Sequence, residues 1–256
     1  TEIKPSPLDL RKPTDLELVR IGQMRKLPES YGRFPGLDLA VQRDLLWMSD
    51  VFCYSDHQKA LAWVVTDGAG IGAQARRMDG KKWLTKAQKW TKAKNPRGFK
   101  ASWPIGAANF GTAQNIILTE GAGDMLAAIS AVYLSNGQDM AHVKSIGFAC
   151  VGGADQDFHP ESLAHFKGRR VRIVPDNDEN GTGRKGAQKW TEQLTRACAT
   201  VEWFTLTGLL NADGLPAKDL NEVTFYAKDD GWNEPELPQW MRELADFGSA
   251  NVEVSA

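Results

Sequence analysis

The chain has 256 residues, of which 31 are basic and 32 acidic, a formal charge of −1, and a hydrophobic content of 42%. That is enough apolar material for one large core or two small ones, and a charge near zero means a nucleic-acid role must be argued from where the charges lie. No apolar run approaches the roughly 20 residues of a membrane span and the start has no signal-peptide pattern, so a cytoplasmic protein without a membrane partner is expected. The chain opens without Met on Lys4-Pro5-Ser6-Pro7, as expected of a processed chain or a piece of a longer one. Cys53, Cys150 and Cys198 lie far apart with no CxxC or CxxH spacing, which argues against zinc and disulfides and for buried structural thiols.

Thr14-Asp15-Leu16-Glu17 is a capping-box pattern, and Leu16, Val19, Met24 and Leu27 roughly follow one helical face, so a helix is expected over 15–27, stopped by Pro28. A second helix is expected over 37–47, with Leu37, Val41, Leu45 and Leu46 inward. Strands are then expected over 51–54, 61–66 and 71–78, joined by Asp/Gly turns in a small antiparallel sheet. Asp67 to Ala73 matches the G-x-G-x-x-A dinucleotide fingerprint, but a polar, period-2 segment follows and no acid lies about 20 positions on, so a glycine-rich hairpin is the better reading.

From Arg76 to Lys100 there are ten basic residues, among them Arg77, Lys81, Lys82, Lys89 and Arg97, against the single acid Asp79. Trp83, Trp90, Phe99 and, just beyond, Trp103 are interleaved. A solvated loop with anchoring aromatics is one reading. Phosphate-backbone binding with base stacking is favoured, because so much like charge repels itself unless a polyanion visits.

The second half alternates strand-like and helix-like runs. Asn115 to Leu118, Ser145 to Val151, Val171 to Val174 and Val201 to Leu206 are expected strands, with helices after the first and third, so an α/β unit with a parallel sheet follows. Its acids fall just past strands: Glu120 in Thr119-Glu120-Gly121-Ala122-Gly123-Asp124, then Asp176 and Asp178 in Pro175-Asp176-Asn177-Asp178. In an open parallel sheet such positions gather at the carboxyl edge. Three carboxylates together are costly without a positive partner, and oxygen-only ligands suit Mg2+ or Mn2+.

Asp124 is a helix-dipole partner or a site residue, Gly152-Gly153 a tight turn or a phosphate approach, and His159 and His165 packing or surface residues. Asp176 to Gly181 matches half of an EF-hand loop, which fails because Ala187 stands at the twelfth position and a strand precedes it. Gly181 to Gly186 lacks the Walker A spacing, but Arg184 and Lys185 are placed to hold a phosphate beside the acids. The tail, 226–256, is acidic and proline-spaced with one helix expected over 237–247.

The glutamate-glycine motif after one strand and Asp-x-Asp after a later one resemble the TOPRIM domain shared by topoisomerases, primases and some nucleases, over about residues 113 to 207. Gln74-Ala75-Arg76-Arg77-Met78-Asp79-Gly80-Lys81 is similar to the basic subdomain before TOPRIM in bacterial and phage-type primases, and Lys218-Asp219-Leu220-Asn221-Glu222 to the segment that closes it.

The resemblance implies a basic α+β subdomain over 1–112, a TOPRIM-like (Rossmann-like) α/β domain with flanking helices over 113–225, and a C-terminal helix and tail. By it, Glu120, Asp176 and Asp178 are catalytic and, with Asp219, metal ligands. Gly121, Asp124, Arg184 and Lys185 face nucleotide or phosphate, and Arg76, Arg77, Lys81, Lys82, Lys89 and Arg97 face nucleic acid. The activity implied is that of a DNA-primase-like nucleotidyltransferase using nucleoside triphosphates on a single-stranded DNA template. A helicase domain or protein is an expected partner, since neither helicase nor zinc-binding module is recognised here. A TOPRIM nuclease and a non-catalytic nucleic-acid-binding module are the alternatives.

Overall fold

The structure, a computed structural model, describes residues 8–25, 35–53, 58–67, 70–84, 88–135, 140–211, 213–226, 239–248 and 252–254. Tyr54, Gly68, Ala69, Lys86 and positions 227–238 of the tail, on which some expectations fall, lie outside the described residues.

The capping box forms as the sequence predicts. The Thr14 N–H donates to Glu17 Oε2 at 2.9 Å and the Glu17 N–H to Thr14 Oγ1 at 3.3 Å, opening α1 (Asp15–Arg25). The second helix is shorter than expected: α2 spans Pro35–Gln42, and β1 (Leu46–Cys53) begins where the helix was expected to continue. Asp44 takes a left-handed φ of 58° and the Leu45 N–H bonds back to the Ala40 carbonyl, which ends the helix. Beyond that point Leu46 and Met48 are both buried, a period of 2 that a helix cannot satisfy.

β1 pairs with β2 (Gln58–Thr66), which pairs with β3 (Ala73–Arg77), all antiparallel. In the β2–β3 turn Asp67 Oδ1 accepts the Ile71 N–H at 2.8 Å, a hairpin rather than a dinucleotide loop. A two-stranded ribbon, β4 (Trp83–Leu84) and β5 (Trp90–Thr91), follows in the basic segment.

The second half is the α/β unit expected. β6 (Asn115–Thr119), β7 (Ile146–Cys150), β8 (Arg170–Val174) and β9 (Thr200–Phe204) form parallel pairs, in spatial order β9-β8-β6-β7. A strand not foreseen, β10 (Val252–Val254), adds antiparallel to β9 at the edge. Ile116, Leu118, Val171 and Ile173 pack with Ala187, Trp190 and Leu194 of α5 (Thr182–Arg196) on one face.

Ile117 and Val174 belong to the opposite core, with α3 (Ala122–Ser135), Val143 of α4 (Met140–Ser145) and residues of α6 (Leu220–Tyr226) and α7 (Gln239–Ala245). The same core takes in Ile21, Leu37, Met48, Trp63 and Val65, so the amino-terminal helices and one face of the antiparallel sheet close over α3. Covered from both sides, α3 is buried almost all round from Ala122 to Val132. The approach of α2 is close enough that a Cβ on Gly36 would overlap Ser130.

Two expectations about single residues change. Cys53 and Cys150 are buried free thiols, but Cys198 is exposed, past the end of α5 at a φ of 64°. Trp83 and Trp103 are buried, whereas Trp90 is 59% exposed. His159 precedes the 3-10 turn Pro160–Phe166 and His165 lies within it; both pack their rings on Trp103, at 5.5 and 5.8 Å, the packing role foreseen for them.

Candidate metal centre

β6 and β8 are neighbours in a register that pairs Thr119 with Val174, so the residues that follow leave the sheet at the same edge. Glu120 leaves one strand directly; Pro175 ends the other and Asp176 follows. Carboxylate oxygens of Glu120, Asp176 and Asp178 lie within 4.8 Å of one another. In an extended chain Asp176 and Asp178 point the same way and Asn177 the other, and here Asn177 is held aside. The Asn177 N–H donates to the Lys218 carbonyl at 2.6 Å and its Nδ2 to the Ala217 carbonyl at 3.3 Å. The Asp-x-Asp loop is thereby tied to the segment that carries Lys218 and Asp219.

α5 closes the other side. Gly181 caps it at a left-handed φ of 67°, and Gly183 in its first turn lies on Asp176. A Cβ on Gly183 would collide with the Asp176 carbonyl and come within 2.9 Å of its Cβ, so the position requires glycine.

The electrostatics are those of acids short of cations. Burial, then the carboxylates of Asp124, Glu120, Asp219 and Asp178, push the Asp176 carboxyl up to about 9. Burial also raises the Glu120 carboxyl; the Ala154 N–H and the Lys218 ammonium oppose it, and Asp178 and Asp155 add to it. Glu120 Oε2 is buried with no hydrogen-bond partner. Lys218 Nζ stands 3.4 Å from Asp178 Oδ1, and that bond raises the ammonium's own pKa.

The remaining site residues divide. Asp124, in the first turn of α3, is buried, acts on Asp176, and accepts the Asn221 N–H at 3.3 Å. Asp219 caps α6 by accepting the Glu222 N–H at 2.9 Å; it acts on Asp176 but stands outside the trio that meets. Gly121 opens α3, its carbonyl accepting the Met125 N–H. Arg184 and Lys185 are exposed on the first turn of α5, with the Arg184 guanidinium 5.8 Å from the centre of the Trp203 ring.

Arg76 is partly buried on β3, 5.8 Å from the Trp63 ring, on the strand face shared with Gln74. Arg77 points the other way, away from the face that carries Gln74. It is 6% exposed, and its guanidinium bonds Asp79 at 2.6 and 2.9 Å and the Cys53 sulfur at 3.1 Å. Strand alternation sends it into the core beside Trp83, which a count of charges does not reveal. Lys81, Lys82, Lys89 and Arg97 are exposed. Lys89 and Arg97 line a groove of about 1610 Å³ with Lys59, Phe52 and Trp90.

Two features of this edge had no sequence signal. Gln74 of β3 donates to the Gly152 carbonyl at 3.2 Å and accepts the Ala122 N–H at 3.3 Å. Lys218 pairs with Asp178 across forty positions of sequence. Among the described residues no helix is long and apolar enough to cross a membrane.

No family model matches the chain, and no curated protein matches it. Among solved structures it is similar to the primase fragment of the bacteriophage T7 primase-helicase protein, with 18% identity over 75% of this chain and 65% of that one, at a TM-score of 0.42. A chain of the complex in which the bacteriophage T7 lagging-strand DNA polymerase interacts with primase domains bound to an RNA/DNA hybrid and dTTP is 20% identical over 75% of this chain and 82% of that one, at 0.44. The Aquifex aeolicus primase, zinc-binding and RNA polymerase domains, is 16% identical over 91% of this chain and 50% of that one, at 0.41. The chain thus spans about two thirds of the first of these and half of the third.

Proposed function

We propose that this chain is a metal-dependent nucleotidyltransferase that joins nucleoside triphosphates into a primer on single-stranded DNA. The observation that carries the reading is the meeting of the Glu120, Asp176 and Asp178 carboxylates at one edge. The donor set fits a hard divalent cation: it is all oxygen, Glu120 Oε2 is buried without a partner, and Asp176 holds its proton far above the carboxylate range for want of positive charge. Glu120, Asp176 and Asp178 would hold the ion, with Asp219 and Asp124 setting the charge around it. Bound Mg2+ or Mn2+ supplies charge stabilisation of the phosphoryl oxygens and activation of the attacking hydroxyl.

The chain's own residues supply position. Lys218, beside Asp178, is placed to meet a phosphate oxygen, and Arg184 and Lys185 add charge on the neighbouring helix turn. Lys59, Lys89 and Arg97 of the groove neutralise a strand's phosphates while the exposed Trp90 offers a stacking face. The likeness of Lys218 to Glu222 and of the Gln74 to Lys81 segment to primases favours primer synthesis over phosphodiester hydrolysis.

The test is a denaturing gel of single-stranded DNA incubated with labelled nucleoside triphosphates and Mn2+ or Mg2+, beside the Asp176→Asn/Asp178→Asn variant. Short labelled products that vanish in the variant are expected. Shortened template instead makes the chain a nuclease, and DNA retained in a native gel with neither product makes it a binding module.

A further inference from the structure

We infer that Gln74 is a positioning residue for the acidic edge, an inference that rests on the metal-centre reading above. The residue belongs to the amino-terminal sheet, yet its side chain, 4% exposed, reaches out of that sheet to the two loops that leave β6 and β7. Its amide nitrogen donates to the Gly152 carbonyl at 3.2 Å and its amide oxygen accepts the Ala122 N–H at 3.3 Å.

Both partners adjoin Glu120. Ala122 lies two residues beyond it at the start of α3, and the Gly152 N–H donates to the Glu120 carbonyl at 2.8 Å. One side chain therefore fixes the backbone of Glu120 from both sides. The same α3 turn carries Asp124, whose charge acts on Asp176.

The chemistry suits a primary amide and little else. The site asks for one donor and one acceptor about a residue's length from the β3 backbone, and glutamine offers both on a planar group. An apolar side chain of the same size would leave the Gly152 carbonyl and the buried Ala122 N–H without this partner, and each would relieve that by moving its loop. Gln74 also has a neighbour with a second task. Ala75 exchanges backbone bonds of 2.8 and 3.0 Å with Lys94 of the basic segment, so the acidic edge and the basic segment are both set from consecutive residues of one strand. Gln74 itself is not a metal ligand, because both ends of its amide are engaged.

The experiment uses the full chain, with Gln74→Met, which keeps volume and loses both bonds, Gln74→Asn, which is too short to bridge both loops, and Asp176→Asn as a control. Amide hydrogen exchange is followed in the metal-free protein and Mn2+ affinity is measured by calorimetry. Faster exchange at Ala122 and Gly152 and Mn2+ binding weakened about tenfold are expected in both Gln74 variants, the size usual for groups that orient ligands. A merely structural residue would lower the melting temperature while the folded variant bound Mn2+ as wild type does. That result, or unchanged exchange at Ala122 and Gly152, overturns the inference and leaves the metal centre standing. Wild-type protein that binds no Mn2+ overturns the metal centre and the inference with it. Should Gln74→Met fail to fold, Gln74→Asn decides by the same two readings.

Discussion

Glu202 and Asp176 belong to the same parallel sheet, one within β9 and the other just past β8, and their surroundings are opposite. Glu202 is 3% exposed, and its carboxylate is shared between Arg170 at 2.5 Å and Arg172 at 2.6 Å. Arg172, itself fully buried, spends its other donors on the carbonyls of Glu243, Leu244 and Asp246 at the end of α7. Asp176 meets four carboxylates, and the nearby cation is Lys218, bonded to Asp178. In the first case the chain supplies the cation and obtains a fastened helix. On the metal-centre reading proposed above, the second takes its cation from outside, and a site that is unfavourable alone becomes favourable when loaded.

The contrast is broken most completely by Asp176→Asn with Asp178→Asn. Mn2+ binding should be abolished in a calorimetric titration while the circular dichroism spectrum holds, and an unchanged titration would show that the trio is not a metal centre.

Next in size is Arg172→Met, which leaves Glu202 buried with half its partners and frees the end of α7. A loss of about 3–5 kcal/mol is expected in urea unfolding, the usual cost of breaking a buried pair from one side. A loss below about 1 kcal/mol would place Arg172 with exposed ion pairs instead.

The measurement that reads both kinds of acid at once is the pH profile of metal-free melting. Asp176 has a folded pKa of about 9, raised from 3.8, so the unfolded chain releases this proton first and stability falls as pH climbs between those values. Glu17, held near 2 by Arg11 and the Thr14 cap against an ordinary 4.5, has the reverse sign: its contribution is present above about 4.5 and is lost as pH falls towards 2. Asp176→Asn should flatten the alkaline decline and leave the acid limb untouched. A decline that persists in the variant would assign it to another group.

Much of the edge was legible because its signals are local. Glu120 and Asp176 each follow a β-branched run, and Thr14 and Glu17 stand at capping-box spacing, so these residues announce themselves within a few positions. Charge in the basic segment was legible only as a sum. Arg76 and Arg77 are adjacent and look alike, but one lies on the face of β3 that meets the parallel sheet and the other in the core beside Trp83. The end of α2 was not legible, because Leu45 and Leu46 extend a helical run as plausibly as they start a strand.

The sequence by itself determined the α/β alternation, the antiparallel hairpins before it and the acids just past β6 and β8, because strand period, turn chemistry and capping depend on neighbours a few residues away. Tertiary structure alone decided that Asn177 turns aside onto the Lys218 segment, that Gln74 crosses from one sheet to the loops of another, and that Arg172, paired with Glu202, caps α7. Those contacts join residues 30 to 78 positions apart, where only the packing of whole elements sets the distance.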